Sequence, residues 1–506
     1  MNSMYKNIDD EFDFCIIGTG IGGGMLLKEL AAKLPNKSFL VIEAGGKSRK
    51  NEPHYVSKGL DFKMITTSIQ VGGTSNLWHG LLGKLDPIDF KHRDWIPYSG
   101  WPIDLSDLQE YYYKATQFWG AEKPEYFSQK LLPQPLSTLF EDISFNRQLL
   151  KNKLFQRPPS VKSLRKYIID IMKNNENITL LIQTTALELI AGDSLKTIKS
   201  CKVGLLDGSI KEVRAKTFIL CTGALETPRI MLNSICFTNE NIGKFLMDHP
   251  MGNLLQIKFK KPQKAPIYSD TIYGNGIRIK TGLVFTEETQ ETHQLPNHSF
   301  YIRPSFSKGI DDRSEKVKLS LLTYKSGNIS LRDIWRVITN LNVVRQILTY
   351  KLSLNVTYKY ADLFFMMEQV PSKKSFVGLS KEKDRYSYPK AEINWNLTEY
   401  DIENMKSVYK LCRENIFPKE QFEIIHGEND FNWPEIFTSG AHHVGTARMS
   451  KSDETGVVDS NLKVHCKENM YICDGSVFST SGNVNIGLTI SALAMRLAHH
   501  LTHQAK

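Results

Sequence analysis

The first part of the chain combines unbroken apolar runs with a helical pattern. Phe14 to Ile17 is an unbroken apolar run, and a second run, Phe39 to Ile42, ends in Glu43. Between them, apolar side chains recur at helical spacing from Met25 to Leu34. Short unbroken runs are typical of strands buried on both faces of a parallel sheet, and the 3.6-residue spacing is typical of a helix. The pattern therefore predicts a strand–helix–strand unit.

Similar elements follow further along the chain. Residues 160–176 predict a helix, and residues 178–182 and 202–206 predict strands. Residues 217–221 predict an apolar strand that leads through a glycine into a helix. The last elements of this kind are a strand at 470–473 and a helix at 489–501.

From about residue 256 the pattern changes to an alternation of apolar and polar residues, with few helical signals until about residue 330. Alternation is typical of an antiparallel sheet that has one face in water. A chain of 506 residues is also too long for one hydrophobic core. We therefore predict a second domain built on this sheet.

Residues 329–352 have a helical pattern with one apolar face, and Arg332, Arg336, Arg345 and Lys351 make the segment basic. Basic amphipathic helices can lie on membranes or on partner proteins, but a face packed on the protein core is the commoner arrangement. We therefore expect the core to cover this face.

A glycine motif joins the first predicted strand to the first helix. Gly18, Gly20 and Gly23 form G-x-G-x-x-G, and Glu43 ends the second strand. In such a unit the glycines permit a tight turn, a close approach of a pyrophosphate and close packing of helix on strand. The helix N-terminus attracts phosphate, and Glu43 can accept ribose hydroxyls. A glycine-rich turn is the simpler alternative, but the surrounding elements favour a dinucleotide site.

Two other segments place small polar residues at the expected edges of such a site. Gly73, Thr74 and Ser75 lie in VGGTSNLWHG, which suits a loop folded closely over a ligand, with an ordinary turn as the alternative. Asp474 and Gly475 directly follow a predicted apolar strand.

The composition excludes several other classes of protein. It is 41% apolar and 23% charged, as globular proteins are, and no apolar run is long enough to span a bilayer. The net charge of +10 comes from scattered Lys and Arg without a nucleic-acid-binding module, so no nucleic-acid partner is predicted. Seven cysteines without a C-x-x-C pair predict neither a disulfide framework nor a metal site. The polar N-terminus lacks the apolar centre of a signal peptide, which predicts a cytoplasmic protein.

Several motifs, in order along most of the chain, together resemble the glucose–methanol–choline (GMC) oxidoreductase family. They are the glycine motif, VGGTSNLW, GALETPRIML, LMDHP, EQVPSKKSFVGLS, PKAEINWNLTEYD, HHVGTARM and DGSVFSTSGNVNIGLT. The resemblance implies FAD as cofactor and an α/β plus α+β fold. A Rossmann-like FAD-binding domain would be built from discontinuous segments, and a substrate-binding domain would rest on a large antiparallel sheet. We assign the first to residues 1–105, 160–255 and 436–506, and the second to 106–159 and 256–435.

The resemblance also implies which residues hold FAD. The ADP half would be held by Gly18, Gly20, Gly23 and Glu43. The pyrophosphate and the flavin would be lined by Gly73, Thr74 and Ser75, with Asp474 and Gly475 near the pyrophosphate and the ribityl chain.

The family's active-site pair falls on His442 and Asn485, where other branches have histidine at the second position. A neutral imidazole, with an ordinary pKa of about 6.5, can take the hydroxyl proton of an alcohol, and an amide can hydrogen-bond the same oxygen without titrating. His443 would be the base if the loop had a different register, and otherwise lies behind the pair. His249, in LMDHP, is interpreted as a turn residue.

Two departures from the family pattern matter. Some sugar- and choline-oxidising members attach the flavin covalently through a histidine in the glycine loop. The matching position here is Leu77, and His79 comes two positions later, so a non-covalent FAD is predicted. The family's Ser-Gly after GALETPRIML is Ser234-Ile235 here, so that motif is partial.

The combined prediction is an oxidoreductase that oxidises a CH–OH group by hydride transfer to flavin N5, with His442 as base and Asn485 as hydrogen-bond partner. A sugar or glycoside substrate is implied by Trp78 and by HHVGTARM, which are similar to segments of sugar-oxidising members. The electron acceptor, oxygen or another, stays open, and so does the oligomeric state. The alternatives are a flavin-containing non-redox lyase of the same fold and the catalytic subunit of a multi-subunit sugar dehydrogenase with an electron-transfer partner.

Overall fold

The structure is a computed structural model, and it describes most of the chain. The described residues are 10–46, 55–60, 67–78, 80–128, 145–160, 163–263, 271–272, 276–305, 330–341, 344–345, 348, 356–425 and 433–505.

The described strands and helices are as follows. The strands are β1 Glu11–Ile17, β2 Phe39–Glu43, β3 Tyr55–Gly59, β4 Leu150–Arg157, β5 Ile178–Ile182, β6 Thr185–Ala191, β7 Ile198–Gly204, β8 Ile210–Leu220, β9 Pro250–Gln263, β10 Thr271–Ile272, β11 Arg278–Phe285, β12 Ser299–Ser305, β13 Tyr358–Met366, β14 Phe376–Lys383, β15 Pro389–Trp395, β16 Phe422–Ile424, β17 Thr438–Ser439 and β18 Met470–Ile472. The α-helices are α1 Ile21–Lys33, α2 Pro87–Phe90, α3 Ser106–Trp119, α4 Leu164–Lys173, α5 Gly223–Asn233, α6 Glu287–His293, α7 Leu331–Ile338, α8 Glu399–Leu411, α9 Trp433–Ile436 and α10 Gly487–Gln504.

The first sheet contains the strand–helix–strand unit predicted from the apolar runs. Its strand order is β5-β2-β1-β8-β7-β6, and β18 also pairs with β8. The pairs of β1 with β2 and β8, of β2 with β5 and of β18 with β8 are parallel, whereas β6 and β7 join antiparallel. All five residues of β2 are buried, and its first four, Phe39 to Ile42, form the unbroken apolar run that burial on both faces favours. The carboxyl ends of β1, β2, β8 and β18 meet at one edge, where parallel sheets bind ligands.

The second sheet is mainly antiparallel, as the alternating pattern predicts. Its order is β10-β11-β12-β13-β9-β16, with β4 beside β11 and β17 beside β9. In the pairing of its central strands, Met366 lies opposite both Ser299 and Met251. Since β9 begins at Pro250, this end of the sheet continues directly from Asp248 and His249. A separate three-stranded sheet, β14-β15-β3, lies against α5. The division of the chain into two domains stays a prediction.

Buried polar bonds connect segments that are far apart in the sequence. Arg93 donates two bonds to Glu368, at 2.8 and 2.6 Å, and both side chains are 1% exposed. Lys153 on β4 donates to Asp86 at 2.6 Å and to Asn483 at 2.7 Å. Removing one partner of a buried ion pair typically costs about 3–5 kcal/mol. These bonds therefore fix the loop after α2 against the end of β13, and fix β4 against the segment before α10.

Helix α10 is buried along most of its length between α1 and α3. The hydroxyl groups of Tyr112 and Thr489 are 2.8 Å apart, and the indole of Trp119 donates to Ser491 at 3.0 Å. Because α10 begins two residues after Asn485, this packing determines where Asn485 lies. Nowhere in the described ranges is a helix both long enough and apolar enough to cross a bilayer.

Helix α7 differs from the arrangement expected for residues 329–352. On the predicted apolar face, Ile334 and Ile338 are 44 and 58% exposed and Leu341 beyond the helix is 78% exposed, so the expected packing of this face on the core is wrong for the described side chains. The periodicity correctly places these residues on one face. It carries no information about what covers that face, and this is the reason for the error.

Candidate active site

The predicted glycine turn lies at the edge where the parallel strands end. Gly18 has a φ of +97°, and a Cβ there would lie 2.5 Å from the carbonyl oxygen of Cys221. A Cβ on Gly23 would lie 2.0 Å from the carbonyl oxygen of Gly18. Gly20 differs, because a Cβ there would meet nothing closer than 4.0 Å. Gly73, in the loop of residues 67–78, lies close to Gly20. The turn is therefore an open cradle of backbone at a helix N-terminus, which fits a pyrophosphate.

Glu43 lies at the end of β2, and its side chain is buried. Its Oε2 accepts from the backbone N–H of Thr19 at 3.1 Å and from the Thr19 hydroxyl, and its Oε1 accepts from the N–H of Gly45 at 2.8 Å. The Thr19 hydroxyl in turn accepts from the N–H of Gly72 at 3.0 Å. Besides the expected contact with ribose, Glu43 thus holds the glycine turn and the loop around residue 72 together.

The loop with Gly73, Thr74 and Ser75 forms one turn of 3₁₀ helix over the glycine cradle. The Thr74 hydroxyl accepts from the N–H of Ser68 at 3.3 Å, and the Ser75 hydroxyl donates to the carbonyl of Gly72 at 2.6 Å. Both hydroxyls therefore stabilise the loop itself. Leu77 follows this turn and is half-buried, while His79 lies outside the described residues.

Asp474 connects the end of β18 to the start of α5. Its Oδ2 accepts from the N–H of Gly223 at 2.8 Å and from the Thr227 hydroxyl at 2.7 Å, and its Oδ1 accepts from the N–H of Ser476 at 2.8 Å. Burial raises the pKa of this carboxyl group, while these bonds act in the opposite direction. Gly475 packs against the backbone of His443, since a Cβ there would lie 2.9 Å from its carbonyl oxygen.

His442 and Asn485 lie side by side although 43 positions separate them. Nδ2 of Asn485 is 3.0 Å from Nε2 of His442. The backbone N–H of His442 donates to Oδ1 of Asp248 at 2.7 Å. Just beyond Asn485, a Cβ on Gly487 would lie 2.7 Å from the ring of Trp78, so the loop of residues 71–80 reaches the same place. The structure thus brings the predicted pair together next to the predicted dinucleotide segments.

His443 points to a different partner. Its Nε2 lies 3.8 Å from Oδ2 of Asp248, and its side chain is 7% exposed. Burial lowers its pKa, and Asp248 acts in the opposite direction. The ring therefore faces the carboxylate behind the pair, which matches the prediction that His443 lies behind His442.

His249 was interpreted from the sequence as a turn residue, but its ring contacts His442. Its Nδ1 lies 2.9 Å from Nδ1 of His442, and the ring centroids are 5.1 Å apart. Its Nε2 lies 3.1 Å from the carbonyl oxygen of Ser481 and 3.0 Å from that of Gly482. Sequence reasoning missed this contact because 193 positions separate the two histidines. The sequence did contain a signal. His249 stands directly before the strand that begins at Pro250, and it lies in LMDHP, one of the motifs that resemble the GMC family.

Comparison with known families indicates a flavoprotein oxidoreductase. Two family models, both described as GMC oxidoreductase, match residues 160–251 and 371–494. Segments in both halves of the chain thus match the GMC oxidoreductase family, whose members use FAD. The predicted family and the predicted fold class are thereby confirmed.

Individual relatives are distant. The chain is 20% identical to the fructose dehydrogenase large subunit of Gluconobacter japonicus, over 93% of this chain and 85% of that protein. It is 23% identical to the 2-methyl-1,2-propanediol dehydrogenase of Mycolicibacterium austroafricanum, over 59% of this chain and 50% of that protein.

Solved structures share the fold over nearly the whole chain. Pyridoxine 4-oxidase from Mesorbium loti has a TM-score of 0.58 at 16% identity, covering 97% of this chain and 99% of the other. A variant of Aspergillus oryzae RIB40 formate oxidase, studied for modification of its FAD, has a TM-score of 0.58 at 17% identity, covering 98% and 99%. At these identities the likeness supports the fold and not the substrate.

Proposed function

We propose that this protein is an FAD-dependent oxidoreductase that oxidises a CH–OH group of a small alcohol, with a sugar or glycoside as the substrate class. The observation that carries the proposal is the 3.0 Å contact between His442 and Asn485, beside the glycine cradle. The match to a fructose dehydrogenase subunit supports the sugar class. A cytoplasmic location, and oxygen or another electron acceptor, belong to the same proposal.

The residues at the edge of the first sheet fit FAD. The open backbone at Gly20 and the N-terminus of α1 would hold the pyrophosphate, and Glu43 would accept from the ribose. The loop with Gly73, Thr74 and Ser75 and the turn at Asp474 and Gly475 would border the rest of the cofactor. When bound, FAD supplies a flavin that accepts the two electrons and the hydrogen of the substrate carbon. Leu77 cannot form a covalent bond to it, so we propose that FAD is held without one.

The active pair would act on the hydroxyl group. Nε2 of His442 would accept the hydroxyl proton, because a neutral imidazole near its ordinary pKa is an effective general base. In the substrate-free protein Nδ2 of Asn485 donates to the lone pair of Nε2. A bound substrate hydroxyl would take that lone pair, and Nδ2 would then donate to the substrate oxygen instead. The amide would then stabilise the charge that develops on that oxygen without changing its own charge.

An anaerobic screen tests this function. Purified protein with FAD is mixed with sugars, glycosides and simple alcohols, and loss of flavin absorbance near its visible maximum is recorded. We expect bleaching by at least one sugar or glycoside. Bleaching by simple alcohols alone would remove the sugar class. No bleaching by any compound would contradict the redox function and favour the lyase alternative, in which the flavin has only a structural role.

A second candidate is the catalytic subunit of a multi-subunit dehydrogenase. The specific observation in its favour is that the relative aligned over 93% of this chain is named as a large subunit. Purification from the native host tests it, since a co-purifying small subunit or a haem-containing protein would support this candidate. A chain that purifies alone and passes electrons directly to oxygen would contradict it.

A further inference from the structure

His249 lies against His442 on the side opposite to Asn485. We propose that His249 is a positioning residue, which holds the hydrogen of neutral His442 on Nδ1 and so leaves the lone pair on Nε2, facing Asn485 and the substrate. The inference rests on the proposed function for the role of His442 as base. The position of the hydrogen, however, is a property of the protein that can be measured without any reaction.

The first step concerns Nε2 of His249. This nitrogen is 3.1 Å from the carbonyl oxygen of Ser481 and 3.0 Å from that of Gly482. A backbone carbonyl only accepts hydrogen bonds, so Nε2 must carry a hydrogen and donate. The backbone does not titrate, and therefore this assignment is the same at every pH at which the protein is folded.

The second step concerns Nδ1 of His249. The side chain is fully buried, and burial lowers its pKa, with Asp248, the two carbonyls and Glu368 acting in the opposite direction. A neutral ring with its hydrogen on Nε2 has its lone pair on Nδ1. That lone pair is 2.9 Å from Nδ1 of His442, so the hydrogen between the two rings must belong to His442.

The third step concerns Nε2 of His442. With its hydrogen on Nδ1, neutral His442 has its lone pair on Nε2, where Nδ2 of Asn485 donates at 3.0 Å. The opposite orientation of the amide would place its carbonyl oxygen against this lone pair. In the orientation observed, Nδ2 faces Nε2 even though this leaves the buried Oδ1 of Asn485 without a hydrogen-bond partner within the described ranges. The chain of bonds therefore orients the amide as well as the imidazole.

Asp248 holds both rings through the main chain. Its Oδ1 accepts from the backbone N–H groups of His249 and His442, both at 2.7 Å, and its Oδ2 accepts from the hydroxyl of Ser439 at 2.5 Å. The negative charge also favours the cation that forms when His442 takes a proton. Asp248 thus fixes the backbone of both histidines, and its negative charge stabilises His442 once that ring is protonated.

The proton balance of the proposed step follows from this arrangement. When the O–H bond of the substrate breaks, the proton binds Nε2 of His442 and the electron pair stays on oxygen. His442 then has a hydrogen on both nitrogens. Its Nδ1–H still donates to His249, and its Nε2–H donates to the substrate oxygen, to which Nδ2 of Asn485 has also turned. The proton cannot continue through His249, because the Nε2–H of His249 faces carbonyl oxygens. It must leave His442 from Nε2, on the substrate side.

Nitrogen NMR of protein labelled with ¹⁵N-histidine tests the tautomer directly. We expect His442 to be protonated on Nδ1 and His249 on Nε2 in the substrate-free holoenzyme near neutral pH. The two rings are assigned from the signals lost in His442→Gln and His249→Asn. A His442 signal with its hydrogen on Nε2 would overturn the proposal, even if flavin reduction proceeds. If no alcohol reduces the flavin, the spectrum still decides this point separately from the proposed function.

Two variants of His249 separate positioning from packing. In His249→Asn, the amide oxygen can take the place of Nδ1 as acceptor, whereas His249→Leu has similar bulk and no acceptor. We expect His249→Leu to slow anaerobic flavin reduction by about ten- to a thousand-fold with little change in KM, and His249→Asn to recover most of the rate. Equal losses in both variants, with FAD still bound, would indicate a packing role and contradict the proposal.

The pH profile of flavin reduction gives a further readout. The His249 acceptor stabilises the cation of His442, so its loss in His249→Leu should lower the pKa of His442 and move the acid limb of the profile to lower pH. The charged groups around the two rings, Asp248 and Glu368, and the neighbouring His443 are unchanged in the variant. An acid limb at the wild-type position would contradict a hydrogen bond between the two rings.

Discussion

At the scale of single residues, two neighbouring histidines have different environments. The His442 ring contacts Asn485 and His249, whereas His443 faces the far oxygen of Asp248. Two adjacent residues of the same type therefore provide a matched comparison of the proposed base with its neighbour.

We expect His442→Ala to slow anaerobic flavin reduction at saturating substrate by about a hundred- to ten-thousand-fold, because general-base assistance has this size. FAD should stay bound, because His442 would act on the substrate and not on the cofactor. Stopped-flow absorbance measures the rate, and His443→Ala is the control, for which a smaller loss is expected. Wild-type reduction in His442→Ala, with a slow His443→Ala, would show that His443 is the base.

Asn485→Asp tests the neighbour of the base without removing its bulk. A carboxylate beside Nε2 of His442 would favour the imidazolium, so the pKa of His442 should rise and the acid limb of flavin reduction should move to higher pH. The rate below that limb should fall, since the base would already be protonated. Asn485→Ala is the control, in which loss of the donor to Nε2 should move the limb to higher pH by less than the carboxylate does, while the plateau falls. An acid limb that does not move in Asn485→Asp would show that Asn485 does not contact the residue that acts as base.

At the scale of elements, the turn between β1 and α1 and the loop of residues 67–78 behave as one unit. Glu43 connects them through Thr19, whose hydroxyl bonds both Glu43 and the backbone of Gly72. A substitution at the end of β2 should therefore affect both the cofactor and the loop.

We expect Glu43→Ala to weaken FAD binding by about 1.5–3 kcal/mol, through loss of a charge-assisted hydrogen bond. Because the carboxylate also holds the turn, the thermal midpoint of the FAD-free protein should fall as well. Flavin occupancy after dilution and the midpoint of the apoprotein are the two measurements. Thr19→Val is the control, since it should loosen the loop while leaving the acceptor for ribose. Unchanged occupancy in Glu43→Ala would contradict the assigned role.

The side chain at position 77 determines whether FAD can be attached covalently there. Since Leu77 has no nucleophilic atom, acid precipitation should leave the yellow colour in the supernatant. His79→Ala should behave in the same way. Colour in the wild-type pellet that is lost from the pellet of His79→Ala would show a covalent bond to His79 instead.

At the scale of the whole molecule, buried titratable groups determine how stability depends on pH. Burial lowers the pKa of His298 to about 4, and burial raises the pKa of Asp89 to about 7 and that of Asp401 to about 6. The ring of His298 accepts from the backbone of Glu368 and bonds Asn404, so its neutral form belongs to the folded state.

We expect His298→Gln to lose less stability than the wild type on acidification. Between about pH 6.5 and about pH 4 the unfolded chain binds a proton that folded His298 does not, so the free energy of unfolding falls by on the order of 3 kcal/mol as the pH falls through this window. The raised pKa values of Asp89 and Asp401 have the opposite effect, because they increase the free energy of unfolding as the pH falls. Both groups are present in the wild type and in His298→Gln, so their effect cancels when the two proteins are compared. Thermal midpoints across the window measure the effect. Parallel curves for the two proteins would contradict it.

Prediction from the sequence succeeded where local pattern encodes burial. The unbroken runs at β1 and β2 follow directly from burial on both faces of a sheet, whereas Glu43 was identified by its position after the glycine motif. The pair of His442 and Asn485 came from family motifs, since no local pattern records a contact across 43 positions. The contact of His249 with His442 was missed because 193 positions separate the two residues. The exposed face of α7 was assigned wrongly because periodicity does not identify a covering surface.

The buried bonds of Arg93 and Lys153 have a consequence for how a substrate reaches the pair. They join the loop after α2 to the end of β13, and β4 to the segment that leads to Asn485. A hinge motion that pulled these segments apart would break buried charged pairs, at several kcal/mol each. We therefore expect these walls of the site to stay together during turnover, so that a substrate reaches His442 through rotations of side chains and movement of the connecting loops.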